Sequence, residues 1–242
     1  MATIKNMHYD FKQKLNKLDS NVYVDLKIPE IDRILNRALN LYILLVAKPR
    51  VQNLILGFEK IQRTIDDISP LIANNIPLSV THSVSYSIAQ LPVKYAYYLS
   101  TEELIANKGS MSKKLKVKVI KHNDEHARDY FYDSDFDWGT CNIRFSKDGI
   151  KLFTGGEFNI TLFAINYIMT HPYIHNAEDF ALGSYKLPDG TTLTGHEDCI
   201  LPEITHDEIV DLAVLLATNN LQLVNEYQAN KDVLGIKQLL SK

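Results

Sequence analysis

The stretch CNIRFSKDGIKLFTGGEFNITLFAINYIM, residues 141–169, decides what kind of fold this chain has. It holds three runs, CNIRFS, IKLFT and FNITLFAINYIM, rich in the β-branched and aromatic residues that fit a pleated surface. The KDG at 147–149 separates the first two as a turn. The centre of the chain is therefore expected to be a sheet. Upstream, VTHSVSYSI (80–88) places Val80, Val84, Tyr86 and Ile88 at alternating positions, the period of a half-buried strand. KKLKVKVIKH (113–122) sets Lys114, Lys116 and Lys118 against Leu115, Val117 and Val119, one face packed and the other charged. Between them, LPVKYAYYLSTEELIANKG (91–109) reads as an extended PVKYAYY leading into a short helix capped by Ser100 or Thr101.

Helical patterns flank this centre. Phe11, Leu15 and Leu18 mark a short amphipathic helix, followed by an extended connector through DSNVYVDLKIPE. Pro29 suits a first helical turn and Glu30 its positive end. Ile31, Leu35, Ala38, Leu39, Tyr42 and Val46 then form the buried side, and Pro49 stops the helix. VQNLILGFEKIQRTIDDI (51–68) predicts another, with Leu54, Phe58, Ile61 and Ile65 on one face. Residues 172–202 read as loop with a small turn at LPDGTTL. The expected class is α+β: a helical part over 1–78, a β-rich and barrel-like middle over 79–200, and a helical part over 201–242 that rejoins the first helices.

The last helix opens on ITHDEIVDLAVLLA (204–217). Thr205 and Glu208 fit a capping box, and Ile204 and Ile209 a hydrophobic staple. Asp207 complements the helix dipole, and Ile209, Leu212, Ala213 and Leu216 continue as a buried stripe. The sequence HDE at 206–208 thus reads as a helix start rather than a metal or hydrolytic site.

Composition narrows the function. The 242 residues carry a formal net charge of -3, with a pI near 6.2, so no general attraction to nucleic acid or anionic lipid follows. Two cysteines, Cys141 and Cys199, form no CxxC and no disulfide framework. The start lacks the apolar run of a secretory leader, and Lys48 and Pro49 interrupt LNLYILLVAKP, so a soluble chain without membrane association is expected. Gly155 and Gly156 lack the lysine and hydroxyl residue of a P-loop, and neither GxGxxG nor GxSxG occurs. His171 and His175 lie four apart but Pro172 intervenes, and Cys199 and His196 stand at no zinc spacing. Asp133, Asp135 and Asp137 alternate like a calcium loop without its glycine and twelfth-position glutamate. HNDEHARD (122–129) offers His122, Asp124, Glu125, His126 and Asp129, the composition of either a carboxylate-metal nuclease or a solvated surface. Lys114, Lys116 and Lys118 could contact phosphates or guard a sheet edge. No cofactor and no catalytic residue is expected. Thirteen tyrosines suit surfaces buried by a partner.

The ordered set LNKLDS, IPEIDRILNRALNLYI, LPVKYAYYLS, NYIMTHPYI and LPEITHDEIVDLAVLLA resembles virion structural proteins of Bacteroidales tailed phages, including crAss-like phages. The likeness runs through most of the chain. It departs at Lys94, where the family has an acidic residue, and at MTHP, where it has RKP. The resemblance implies a non-enzymatic ring protein of the neck, a dodecameric portal adaptor at the head-tail junction of the virion, made in the host bacterial cytoplasm. Its partners would be further copies of itself, the portal protein, neighbouring neck or tail proteins, and packaged DNA passing without sequence recognition. A tail-tube or tail-hub component is the nearest alternative, and the nuclease is the alternative from another class. For the ring, Tyr42, Tyr95, Tyr97, Tyr98, Tyr130, Phe131, Tyr132, Phe136 and Trp138 are the candidate subunit contacts, and Lys114, Lys116 and Lys118 the candidate DNA-facing residues.

Overall fold

The computed structural model describes residues 3–18, 26–47, 66–120 and 134–220. The chain forms two compact units, Leu71–Thr170 and a second made of Met1–Pro70 with His171–Lys242. The fold is α+β, as its periodicities require, but the boundaries differ from those expected. Residues 171–200 belong with the helices rather than with the β-rich middle, and residues 71–78 belong with the strands.

In the helical unit, α1 (Ile4–Leu18), α2 (Ile28–Ala47) and α3 (His206–Asn220) pack together, α3 lying against both of the others. Ile4, Met7, Phe11 and Leu15 are buried on α1, and Ile31, Leu35, Ala38, Leu39, Tyr42 and Ile43 on α2. At the start of α2 the Glu30 carboxylate accepts from the Lys27 N–H at 2.8 Å, which satisfies one orphan amide of the first turn.

Two polar anchors explain why residues 171–200 join the helices. The Asn36 amide donates to Ile174 O (2.7 Å) and accepts from Ile174 N–H (3.0 Å), copying a strand partner from a helix face. The Asp198 carboxylate accepts from the Ile4 N–H (2.7 Å) at the opening of α1. Short ladders in this segment pair β10 (His175–Asn176) with β13 (His196–Glu197) and β11 (Ser184–Lys186) with β12 (Thr192–Thr194) around the 187–191 turn.

The β unit has two sheets over one core. The first orders β1 (Ile72–Pro77), β9 (Asn159–Met169), β4 (Tyr95–Lys108) and β5 (Met111–Lys114). The second orders β2 (Val80–His82), β3 (Tyr86–Ala89), β8 (Gly149–Phe153), β7 (Thr140–Ser146) and β6 (Lys116–Val119). At Leu78 the chain passes from β1 into β2, and at Leu115 from β5 into β6. Both corner residues are buried, and their amides donate to Phe163 O and Leu104 O at 2.8 Å. The two sheets are thus joined at both margins, which gives the barrel-like form. Leu104, Ala106, Ile143, Ile150, Leu152, Phe163 and Ile165 fill the interior.

Two local expectations are corrected. Residues 100–108 are not a helix: β4 continues as one strand through Lys108, because β9 pairs along one side and β5 along its end. Pairing on both edges, with Leu104 and Ala106 inward at period two, overrides the helical preference of TEELIA. The strand pairs with the shorter β9 through register shifts that bend it. Residues 80–88 form a hairpin rather than one strand, with Ser83 N–H bonded to Tyr86 O and Val84 exposed at the tip. The strands at 141–146, 150–153 and 159–169 and the KDG turn stand as read. The helix expected over 51–68 lies outside the described residues except for its end.

Candidate interaction surface

Among the described residues of the β unit, the most exposed large aromatic is Trp138, 85% accessible and the one tryptophan of the sequence. It sits on a tight turn between Asp135 and Thr140, whose amides and carbonyls are mutually bonded at 3.0 and 2.9 Å. The Asp135 carboxylate accepts from the N–H of Asp137 (2.6 Å) and of Trp138 (3.1 Å), the local bond that aspartate makes in turns. Gly139 closes the turn at φ +69°, where a Cβ would also press on the Lys113 side chain at 3.3 Å.

From β5, the Lys113 ammonium donates to Asp137 O (2.7 Å) and Phe136 O (3.3 Å). Beneath, Phe136 is buried against Phe158, with Lys108 over its ring. The bonds that tie this turn fix the backbone that carries the exposed indole, which reduces the backbone ordering that a contact there would require. Met111, two residues before Lys113 and so on the same strand face, is also largely exposed. An exposed tryptophan, with an exposed methionine on the strand that holds its turn, has the composition of an interface.

The other aromatic candidates divide. Tyr42 is corrected: it is 4% exposed, a core residue of α2 whose hydroxyl donates to Asp67 (3.3 Å). Phe136 is likewise corrected, because it forms the floor of the Trp138 turn. Tyr95, Tyr97 and Tyr98 are half-buried on β4. Tyr95 packs on Tyr167 and Phe145, and Tyr98 meets Phe145 edge-on at 5.0 Å with its hydroxyl bonded to Thr101. Tyr130, Phe131 and Tyr132 lie outside the described residues, as does all of HNDEHARD. Lys114, Lys116 and Lys118 are exposed, Lys114 lying 3.8 Å from Glu103. Asp135 spends its carboxylate on the turn, and among the described residues no three His, Cys, Asp or Glu side chains are placed to hold a metal ion.

In the helical unit the structure gathers a polar cluster that the periodicity reading passed over. Asp32, fully buried on α2, accepts from His8 Nε2 (2.7 Å), from the Tyr185 hydroxyl (2.6 Å) and from the Asn176 N–H (3.2 and 3.3 Å). Burial, with the Asp32 carboxylate beside it, pushes the Tyr185 phenol far above its ordinary value. The sequence did contain a signal. Asp32 sits in register with Leu35 and Leu39, and His8 with Ile4, Phe11 and Leu15, so each is a polar residue inside an apolar stripe. The Asp of IPEID is thereby the node that ties α1 and the 176–185 segment to α2.

The start of α3 also differs from expectation. The Thr205 hydroxyl donates to Pro202 O (2.8 Å) within a 3-10 turn over Glu203–Thr205, and Ile204 is 65% exposed, so the staple with the buried Ile209 does not form. His171 and Cys199, distant in sequence, meet: His171 Nε2 accepts from Ile200 N–H (3.1 Å) with Cys199 Sγ at 3.6 Å, while its Nδ1–H donates to Pro172 O (2.6 Å). Burial lowers the imidazole of His171 and raises the thiol of Cys199 to about 11, the direction opposite to nucleophile activation. Cys141, in the β core, is pushed up to about 12 by burial.

No protein-family model matches the chain, and no curated protein matches it at a significant level. Among the described residues no helix is long and apolar enough to cross a membrane.

Proposed function

We propose that the chain is a non-enzymatic structural component of a tailed-phage virion, a ring-forming portal adaptor of the neck that continues the DNA channel between portal and tail. The observation that carries the reading is where the family-like stretches meet. LPVKYAYYLS and NYIMTHPYI, about seventy residues apart in the chain, lie side by side as Tyr95↔Met169, Tyr97↔Ile168 and Tyr98↔Tyr167. IPEIDRILNRALNLYI and LPEITHDEIVDLAVLLA pack as α2 on α3, and Asn36 of the former grips Ile174 of NYIMTHPYI. The stretches that carry the resemblance are thus neighbouring parts of one scaffold, which is what supports the reading.

A ring protein acts by presenting complementary surfaces rather than by reacting. The pinned Trp138 turn supplies a rigid anchor for a neighbour, and the exposed lysines of β5 and β6 supply charge of the kind that meets a DNA backbone without reading bases. Cross-linking of intact particles tests this directly. Links are expected from Lys108 and Lys113, beside Trp138, to a second copy of the chain or to the portal. A particle in which those lysines link only within their own subunit contradicts the assignment.

A further inference from the structure

The Trp138 turn opens β7 of the second sheet, whereas β5 is the edge strand of the first and is exposed along its whole length. One backbone bond joins the two just past the Leu115 corner, from Lys116 N–H to Gly139 O at 2.7 Å. The Lys113 side chain joins them again. Its stem lies against Gly139, where a Cβ would stand 3.3 Å from Lys113 Cε, and its ammonium donates to Asp137 O (2.7 Å) and Phe136 O (3.3 Å). A single side chain from one sheet therefore meets residues 136, 137 and 139 at the margin of the other, on both sides of Trp138.

We propose that Lys113 is the positioning residue of the Trp138 surface: its ammonium holds the main chain before the indole and its stem the glycine after it, and loss of that charge releases the turn while the barrel stays folded. The consequence for assembly rests on the reading of Trp138 as an anchor for a neighbour; the clamp itself does not. Magnitudes single out Lys113 among the nearby lysines. Lys108 reaches the same turn through the carboxylate of Asp137 (3.8 Å) and also lies near Glu157 (3.4 Å), but these carboxylates are 79% and 56% exposed, and long exposed pairs contribute little. They also engage a side chain that can rotate, whereas Lys113 engages the main chain. Lys114, the next residue along the strand, projects from the opposite face and lies 3.8 Å from Glu103. A hydrogen bond from a charged donor is roughly twice as strong as a neutral one, so the ammonium matters more than the space its stem fills.

The test is nitrogen-15 relaxation of the full-length chain. It is read at the amides of residues 136–139 and at the indole N–H, a single resonance because the sequence has one tryptophan. Lys113→Met keeps the length of the stem and removes the donor. Order parameters of those amides should fall from about 0.85 to below about 0.6, with the indole loosening alongside, while the amides of β8 and β9 keep theirs. Lys113→Gln, a second neutral side chain, should loosen the turn as methionine does, and Lys113→Arg should hold it, because a guanidinium donates to the same carbonyls. Lys108→Met should leave the turn rigid. Unchanged order parameters in both neutral variants, or equal loosening by Lys108→Met, would overturn the proposal. Incorporation into particles separates it from the assembly reading. A loosened turn should lower the copies of Lys113→Met per virion by about three- to tenfold, the cost of ordering the turn on contact. Loosening of the isolated chain with wild-type incorporation would keep the clamp and remove Trp138 from the contact surface.

Discussion

At the scale of single residues, polar groups placed inside apolar stripes tie the helical unit together. Asp32 receives three donors in a fully buried position. Replacing it with alanine strands the Tyr185 hydroxyl, the Asn176 amide and His8 together, and should cost about 3 kcal/mol or more. Urea unfolding with the helical bands as probe measures this, and a loss below about 1 kcal/mol would show that the cluster is not a structural node. His171 carries a pH dependence of known sign. Its neutral ring accepts from Ile200 through Nε2, and burial depresses its folded-state pKa below that of the unfolded chain. The unfolded state then binds the proton first, so its contribution to stability is complete above the unfolded value near 6.5 and is lost as pH falls through the folded one. His171→Gln should therefore flatten the stability profile on the acid side of neutrality, read as thermal midpoints against pH. An unchanged slope would assign that dependence to other groups.

At the scale of elements, the turn at 147–149 is the sharpest constraint. Gly149 has φ +129°, and a Cβ there would stand 2.3 Å from Ala89 O on the neighbouring β3. Gly149→Ala should destabilise the β unit by roughly 2 kcal/mol or more. A neutral substitution, measured by denaturant midpoint, would show that β3 and β8 separate more readily than their pairing indicates. The same elements show what was legible beforehand. KDG and the runs around it announced β7, β8 and β9, because turn chemistry and β-branched composition are local properties. The spacing of Ile31, Leu35 and Leu39 likewise announced α2. What the sequence hid was decided by distant partners. TEELIA is locally helical, yet residues 101–106 become strand because β9 and β5 are there to receive them. Ile204 had the look of a staple residue but is 65% exposed, because the chain enters the helix through a 3-10 turn over Glu203–Thr205. Tyr42 and Trp138 carry similar aromatic composition, and only the fold separates a core residue from an exposed anchor.

At the scale of the whole molecule, an assembly role requires that surface and stability be separable. Trp138→Ala removes an indole that is 85% exposed, so it should change stability by no more than about 0.5 kcal/mol. It should nonetheless weaken incorporation into particles, scored as copies per virion in complementation, by tenfold or more if the indole is an anchor of the kind that dominates interfaces. Wild-type incorporation by this variant would remove the Trp138 turn from the contact surface. The central claim, that the chain is a ring component of the neck, is tested most directly by single-particle imaging of intact virions with the chain located by its side-chain density. A closed symmetric ring at the portal exit is expected, with Trp138 at a contact between neighbouring proteins. Density for the chain elsewhere in the tail, or none anywhere in the particle, would contradict it.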